Sequence, residues 1–128
     1  MVSVRLGLWL RPAAAVAAVA LLPACAGPAF SELVGDRYFV TNLDTYPLTI
    51  SSVDGKSSTL PIRYVEPGPR QLVLQGPPGF GGVTALRSFE LKVRPCIRYY
   101  IVAVRVSPLD AEFTPRIDYE LPLAGCKP

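Results

Sequence analysis

The sequence predicts a small all-β domain, an antiparallel β-sandwich or partly open barrel of about seven strands, preceded by a signal peptide. Three observations favour this fold. After residue 24 the chain is rich in Val, Ile, Tyr, Pro and Gly, which favour strands and turns over helices. The 14 Pro residues argue against long helices, because an interior Pro removes a hydrogen-bond donor and clashes with the preceding turn. Short alternations of apolar and polar residues then recur at nearly regular spacing between turn residues.

Residues 1–24 have the organisation of a secretory signal peptide. Arg5 and Arg11 supply positive charge, and residues 13–22 form an apolar run. Ten helical residues span roughly 15 Å, about half of a bilayer core, and Arg11 and Pro12 interrupt any longer span. We therefore predict a cleaved signal and not a transmembrane helix. Its removal lowers the Lys and Arg count from 13 to 11, against 10 Asp and Glu. This near-neutral mature chain does not favour nucleic acid as a partner.

The end of this segment, Leu22-Pro23-Ala24-Cys25, resembles the lipobox of bacterial lipoproteins. The resemblance implies a lipid on Cys25, cleavage before it, and a membrane anchor made of several acyl chains. Pro23 departs from the usual pattern. Since residue 26 is Ala and not Asp, the resemblance also implies the outer membrane, on its periplasmic side. An alternative stays open: Ala24-Cys25-Ala26 fits the A-x-A pattern of ordinary signal peptidase, and cleavage after Ala26 would release a soluble secreted β-domain.

The predicted organisation is a signal peptide at 1–24, a lipidated cysteine and tether at 25–36, and a β-sandwich domain at 37–128. The chain has three Cys, so one is odd in an oxidising compartment. Lipidation of Cys25 would leave Cys96 and Cys126 as a pair, and we predict a disulfide between them. Two free buried thiols are the alternative.

The strands of the domain follow from alternation and turn chemistry. The Asp54-Gly55 pair predicts a hairpin, because Gly reaches positive φ without strain. Pro61 suits a strand start or a sheet edge. Turns are predicted at 42–47 and 66–69, and a longer loop at 76–82. The seven predicted strands cover residues 38–41, 48–51, 60–64, 71–75, 88–94, 99–104 and 116–121.

Part of this pattern resembles PEGA-type and related carboxypeptidase-regulatory-like β-sandwich modules. The resemblance covers about a quarter of the chain, and the literal Pro-Glu-Gly-Ala tetrad is absent. It implies an envelope or interaction domain and carries no active site to this sequence. It rests on Val53-Asp54-Gly55-Lys56, Val65-Glu66-Pro67-Gly68, Leu72-Val73-Leu74 and Gly79-Phe80.

No residue is predicted to be catalytic, and no cofactor or metal ion is expected. The chain has no His, the commonest general base and metal ligand. Asp118 and Glu120 lie roughly 7 Å apart along the last strand, a spacing that inverting glycosidases use. However, they alternate with Ile117, Tyr119 and Leu121. We therefore expect the carboxylates on the solvated face, with ordinary acidity, and the apolar residues on the buried face.

The loop at 76–82 lacks the Lys-Ser/Thr pair of a phosphate-binding P-loop, and no helix follows it. A long hairpin loop is the better interpretation, with Phe80 at its tip as the candidate partner-binding residue. Most arginines are expected to be solubilising, with contact to anionic lipid or polysaccharide as the alternative. These are Arg63, Arg70, Arg87, Arg94, Arg98, Arg105 and Arg116.

Together these features predict a membrane-anchored, non-enzymatic envelope lipoprotein with a structural or partner-binding role. An envelope protein and a polysaccharide are both candidate partners. The alternatives are a periplasmic inhibitor or ligand-binding protein that acts through the 76–82 loop, and the soluble secreted domain described above.

Overall fold

The computed structural model describes residues 29–127 and confirms the predicted all-β class. These residues form nine strands in two sheets and a single 3₁₀ turn at Phe80–Gly82. The sheets pack face to face as a sandwich, and neither closes into a barrel. Within residues 29–127, no helix is long and apolar enough to cross a membrane. The predicted signal peptide and Cys25 lie outside the described residues.

The first sheet is built around the central strand β8 (Ile97–Val104), as the sequence predicts for this apolar run. Strand β9 (Thr114–Pro122) pairs antiparallel along one side of β8. The other side is shared by β1 (Ser31–Val34), which is parallel to β8, and β2 (Thr45–Tyr46), which is antiparallel. Strand β5 (Ile62–Val65) pairs with β1 and ends the sheet, so Pro61 precedes an edge strand as expected.

The second sheet is antiparallel throughout, with strand order β4-β3-β6-β7. The strands are β3 (Thr49–Val53), β4 (Lys56–Ser57), β6 (Gly68–Gln75) and β7 (Leu86–Val93). The predicted Asp54-Gly55 hairpin is confirmed: the turn joins β3 to β4, with φ of 49° at Asp54 and 81° at Gly55. Positive φ at both central residues matches the twist of the flanking strands.

The core lies between the two sheets and is filled by alternate residues of their inner faces. The predicted alternation in β7 holds, since Phe89, Leu91 and Val93 are the residues of that strand turned toward the core. The buried cluster consists of Leu33, Leu48, Ile50, Val53, Val65, Leu72, Leu74, Val93, Tyr99, Ile101, Ala103 and Phe113.

The N-terminal boundary of the domain differs from the prediction. The domain begins at β1, inside the segment 25–36 that was assigned to the tether. Ser31 and Leu33 are fully buried, because β1 fills the space between β5 and β8. The strand predicted at 38–41 is also wrong: these residues belong to a loop at 35–44 that leads into β2.

A β-bulge interrupts the pairing of β8 with β9. Tyr100 faces Tyr119, and the next residue, Ile101, faces Ile117, so Asp118 is the extra residue of β9. An extra residue reverses which side chains point to which face. Ile117 packs on the core as predicted, whereas Tyr119 lies on the outer face of the sheet, contrary to the expectation that both share the buried face.

Candidate functional site

The predicted disulfide is present between Cys96 and Cys126, with a Cα–Cα distance of 5.6 Å. Cys96 occupies a tight turn before β8, with φ of 60°. The backbone N–H of Leu123 donates to the carbonyl of Cys96, so the C-terminal tail is attached to this turn twice. The disulfide therefore fastens the tail at the end of the sandwich where β1 begins.

Phe80 lies at the tip of the 76–85 loop, as predicted, and its side chain is 78% exposed. The backbone N–H of Phe80 donates to the carbonyl of Leu109 at 2.8 Å. Gly79 approaches the same neighbouring loop so closely that a Cβ there would lie 2.5 Å from the backbone nitrogen of Ala111. The Phe80 loop is thus packed against the loop 105–113 and held in place by it.

Arg105 joins three loops from a buried position. Its Nη1 donates to the carbonyls of Pro78 at 3.1 Å and Asp110 at 2.9 Å, and its backbone N–H donates to the carbonyl of Asp44. The guanidinium also lies 4.1 Å from the centre of the Tyr46 ring. A planar guanidinium suits this combination, because Nη1 donates both side-chain hydrogen bonds while the flat face of the group lies over the Tyr46 ring. The expectation that Arg105 is a solubilising surface residue is therefore wrong.

Arg63 is the second buried arginine and corrects the same expectation. Its Nη2 donates to the backbone carbonyls of Ile50, Ser51 and Ser58 at 3.0 to 3.2 Å. These bonds connect edge strand β5 of the first sheet to β3 of the second sheet and to the loop that follows β4. Arg63 closes one side of the sandwich.

The loops fixed by Arg105 carry exposed apolar side chains at one end of the sandwich, which we call the Phe80 end. This end comprises the tips of loops 35–44, 76–85 and 105–113. Its exposed apolar residues are Val40, Leu43, Phe80, Val83, Val106 and Leu109.

Asp118 and Glu120 have separate structural partners. The side chain of Asp118 is only 2% exposed, contrary to the prediction of a solvated carboxylate. Its Oδ2 accepts hydrogen bonds from the backbone N–H groups of Tyr38 and Phe39 at 2.8 and 2.9 Å. Glu120 pairs with Arg94 at 2.6 Å and raises the pKa of that guanidinium. Both carboxylates are thus engaged in contacts that hold the fold.

A cluster of aromatic side chains covers the outer face of the first sheet. The bulge places Tyr119 beside Tyr100 on this face, and the loop bonded to Asp118 lays Tyr38 and Phe39 over them. The Tyr38 ring stacks on the Tyr119 ring, with 4.0 Å between centroids and 13° between planes. It also meets Tyr100 edge to face at 5.2 Å. We call these rings, together with Tyr64 on β5, the tyrosine face.

An ion pair occupies the middle of the tyrosine face. Strand pairing places Tyr64 opposite Glu32 and Glu32 opposite Arg98. Arg98 Nε donates to the Glu32 carboxylate at 2.5 Å, and Arg98 Nη1 lies 3.5 Å from the Tyr100 hydroxyl. Hydrogen bonding to Tyr100 and to Glu32 raises the pKa of Arg98. The pair remains partly accessible to solvent.

Sequence reasoning missed the tyrosine face, although four of the six Tyr residues of the chain lie on it. Glu32 lay in the segment assigned to the tether, and Tyr38 and Phe39 in a predicted strand. One residue of the sequence did indicate this face. Because Tyr99 and Ile101 both face the core and side chains alternate along a strand, Tyr100 between them has to face outward.

Residues 29–127 contain no group of three or more His, Cys, Asp or Glu side chains placed to hold a metal ion. A cleft of about 330 Å³ beside the β3–β4 hairpin contains Asp54, whose carboxylate accepts hydrogen bonds from the Gln71 backbone N–H and the Arg70 side chain.

Comparisons with protein-family models, with curated proteins and with solved structures found no match to this chain.

Proposed function

We propose that this chain is an exported, lipid-anchored and non-catalytic binding domain that contacts an envelope protein through the Phe80 end. The proposal rests on the positions of two features at opposite ends of the sandwich: the start of β1 and the Phe80 end. Strands β1 and β8 are parallel and start side by side, so the chain enters the domain at the end opposite the loop that follows β8.

The proposed anchor would hold the entry end close to a membrane. Phe30 follows Cys25 by five positions, and five residue steps can span at most about 18 Å. Strand β8 has eight residues and extends about 26 Å away from that end. With the lipid on Cys25, the Phe80 end would therefore project away from the membrane surface. We place this surface at the periplasmic side of the outer membrane, on the strength of Ala26.

The shape of the Phe80 end suits a protein partner. Phe80 and Leu109 project from adjoining loops whose backbones are bonded together, so little conformational freedom remains to be lost on binding. Projecting, fixed apolar side chains match a concave apolar pocket, which is how anchor residues of protein interfaces bind. The same geometry serves an inhibitor that inserts Phe80 into a partner, the alternative within this class.

The anchor is tested by the mass of the mature protein. The full chain is expressed in a diderm bacterium, extracted from membranes with detergent and analysed intact. We expect a chain that begins at Cys25 and carries added acyl mass, and we expect Cys25→Ser to abolish that modification. A soluble mature form that begins at Gly27 without added mass would contradict the anchor.

The partner surface is tested by site-specific photo-crosslinking in intact cells. A crosslinking residue replaces Phe80 or Leu109, and replaces Lys56, an exposed residue of the β3–β4 hairpin at the opposite end of the sandwich, as the control. We expect positions 80 and 109 to give the same discrete adduct and position 56 to give none. Equal labelling from all three positions, or no adduct from positions 80 and 109, would contradict the proposed interface.

A further inference from the structure

We propose that the tyrosine face binds a neutral polysaccharide, whose sugar rings stack on Tyr64 at one side and on Tyr38 and Phe39 at the other. This second site is on the outer face of the first sheet and is separate from the Phe80 end. The inference requires neither the lipid anchor nor a protein partner.

Exposed aromatic rings lie on both sides of the tyrosine face. Tyr64 is 63% exposed, and Tyr38 and Phe39 are 41% and 44% exposed. The register places Tyr64 two strands from Arg98, roughly 10 Å away, with the stacked rings of Tyr38 and Tyr119 beyond. The apolar C–H face of a pyranose ring packs against an aromatic ring. This face is long enough for several consecutive sugar units.

The groups between the rings suit a sugar. A sugar hydroxyl both donates and accepts hydrogen bonds. Arg98 offers only donors, and the Glu32 carboxylate offers only acceptors, so the pair can satisfy a hydroxyl in either direction. Arg and Tyr are common in protein interfaces, but Glu is depleted from them, because a carboxylate covered by an apolar partner loses its remaining hydrogen bonds. Sugar hydroxyls would supply donors to Glu32, which makes a polyhydroxylated ligand the better match to the middle of the tyrosine face.

The charges on the face and on the loop that covers it nearly balance. The cations are Arg37, Arg98 and Arg116, and the anions are Glu32, Asp36, Asp44 and Asp118. Three cations and four anions produce no field that would attract a polyanion such as nucleic acid or an anionic lipid surface. The ligand class that fits is a neutral glycan.

The aromatic rings beside β9 are held in place by the fold. Asp118 fixes the backbone of Tyr38 and Phe39 from beneath, and Tyr38 is stacked on Tyr119. Bulges are common next to functional sites, where they re-aim side chains, and this bulge turns Tyr119 outward. Rings held before the ligand arrives lose little entropy when it binds.

The test is co-sedimentation of the full chain, purified in detergent, with insoluble chitin, cellulose, starch or peptidoglycan sacculi. We expect saturable binding to at least one of these, unaffected by moderate salt. Binding to chitin identifies an N-acetylated sugar strand, and binding to cellulose or starch identifies an unsubstituted one. Binding to sacculi supports the proposal if soluble chitin fragments compete with it, and contradicts the proposal if only free stem peptides compete. Failure to bind all four, or retention only on heparin-agarose with loss in salt, would overturn the proposal.

Variants then assign the binding to the tyrosine face. Tyr64→Ser and Phe39→Ser should each weaken binding on the order of tenfold, because each removes a stacking ring. Tyr64→Trp keeps a ring and should retain binding. Leu86→Ser is the matched control, since Leu86 is 61% exposed but lies on β7 of the second sheet, and it should leave binding unchanged. Melting temperatures check that each variant is folded. Equal binding by Tyr64→Ser and the parent chain would refute the assignment.

Discussion

The carboxylate of Asp118 lies 2.8 Å from the backbone nitrogen of Tyr38, eighty residues earlier in the chain. One bulged residue of β9 thereby fixes the loop that connects β1 to β2. The same carboxylate also holds the next amide, that of Phe39. The loop carries side chains of both the tyrosine face and the Phe80 end, so Asp118 affects two surfaces at once.

Replacing Asp118 with Ala should destabilise the domain by about 2 kcal/mol, because two backbone donors lose their acceptor. Glu120→Ala is the control. It removes an ion pair that is largely exposed and should cost about 0.5 kcal/mol. Denaturant unfolding measures both, and amide exchange at Tyr38 and Phe39 should accelerate only in the Asp118 variant. Equal losses of stability from the two changes would contradict the role of Asp118.

Arg105→Lys should destabilise the domain by about 1–3 kcal/mol, although it preserves the charge. An ammonium can donate to the carbonyls of Pro78 and Asp110, as Nη1 does, but it has no planar face to lie over Tyr46, so the three contacts cannot all be retained. Amide exchange at Phe80 should accelerate as the loops separate. Arg87→Lys is the matched control, since Arg87 forms an exposed pair with Glu112. A loss of stability as large in the control would show that the loops are not held by Arg105.

Replacing Cys96 and Cys126 together with Ala should lower the free energy of unfolding by about 3.6 kcal/mol in the chain-entropy treatment of a 30-residue loop. The tail after β9 should then become accessible to carboxypeptidase. Denaturant midpoints and limited proteolysis check the two effects. A double variant as stable and as protease-resistant as the parent chain would mean that the disulfide does not hold the tail.

Asp54→Asn should make the stability of the domain less dependent on pH. The Gln71 backbone N–H and the Arg70 side chain lower the pKa of Asp54 in the folded chain. A lowered folded pKa contributes stability above the unfolded value of about 3.9, and this contribution is lost as the pH falls through the folded pKa. Asn keeps the turn conformation and one acceptor but loses the ion pair with Arg70. Tm should be lower than that of the parent chain at pH 7, and the two Tm values should converge as the pH falls through the folded pKa of Asp54. A difference that persists in acid would contradict this explanation.

The sequence predicted the elements whose signal is local. Strands β6, β7 and β8 follow from apolar runs or alternation, and the β3–β4 hairpin follows from Asp54-Gly55. The disulfide followed from cysteine count. Strand β1 could not be recognised, because its four residues become buried only through pairing with β8 and β5. The bulge at Asp118 and the burial of Arg105 depend on contacts between residues far apart in sequence, so no local pattern revealed them.

The parallel pairing of β1 with β8 also constrains how the domain is made. Glu32 meets Arg98 across 66 residues, so the first sheet cannot be completed until most of the chain is free to fold. Contacts of such long range close slowly, because the loop-closure entropy is lost before the contacts form. For a chain exported N-terminus first, the polypeptide would therefore stay extended during passage through the membrane. If Cys25 is processed as proposed above, the processing would take place before the neighbouring strand β1 is locked into the sheet.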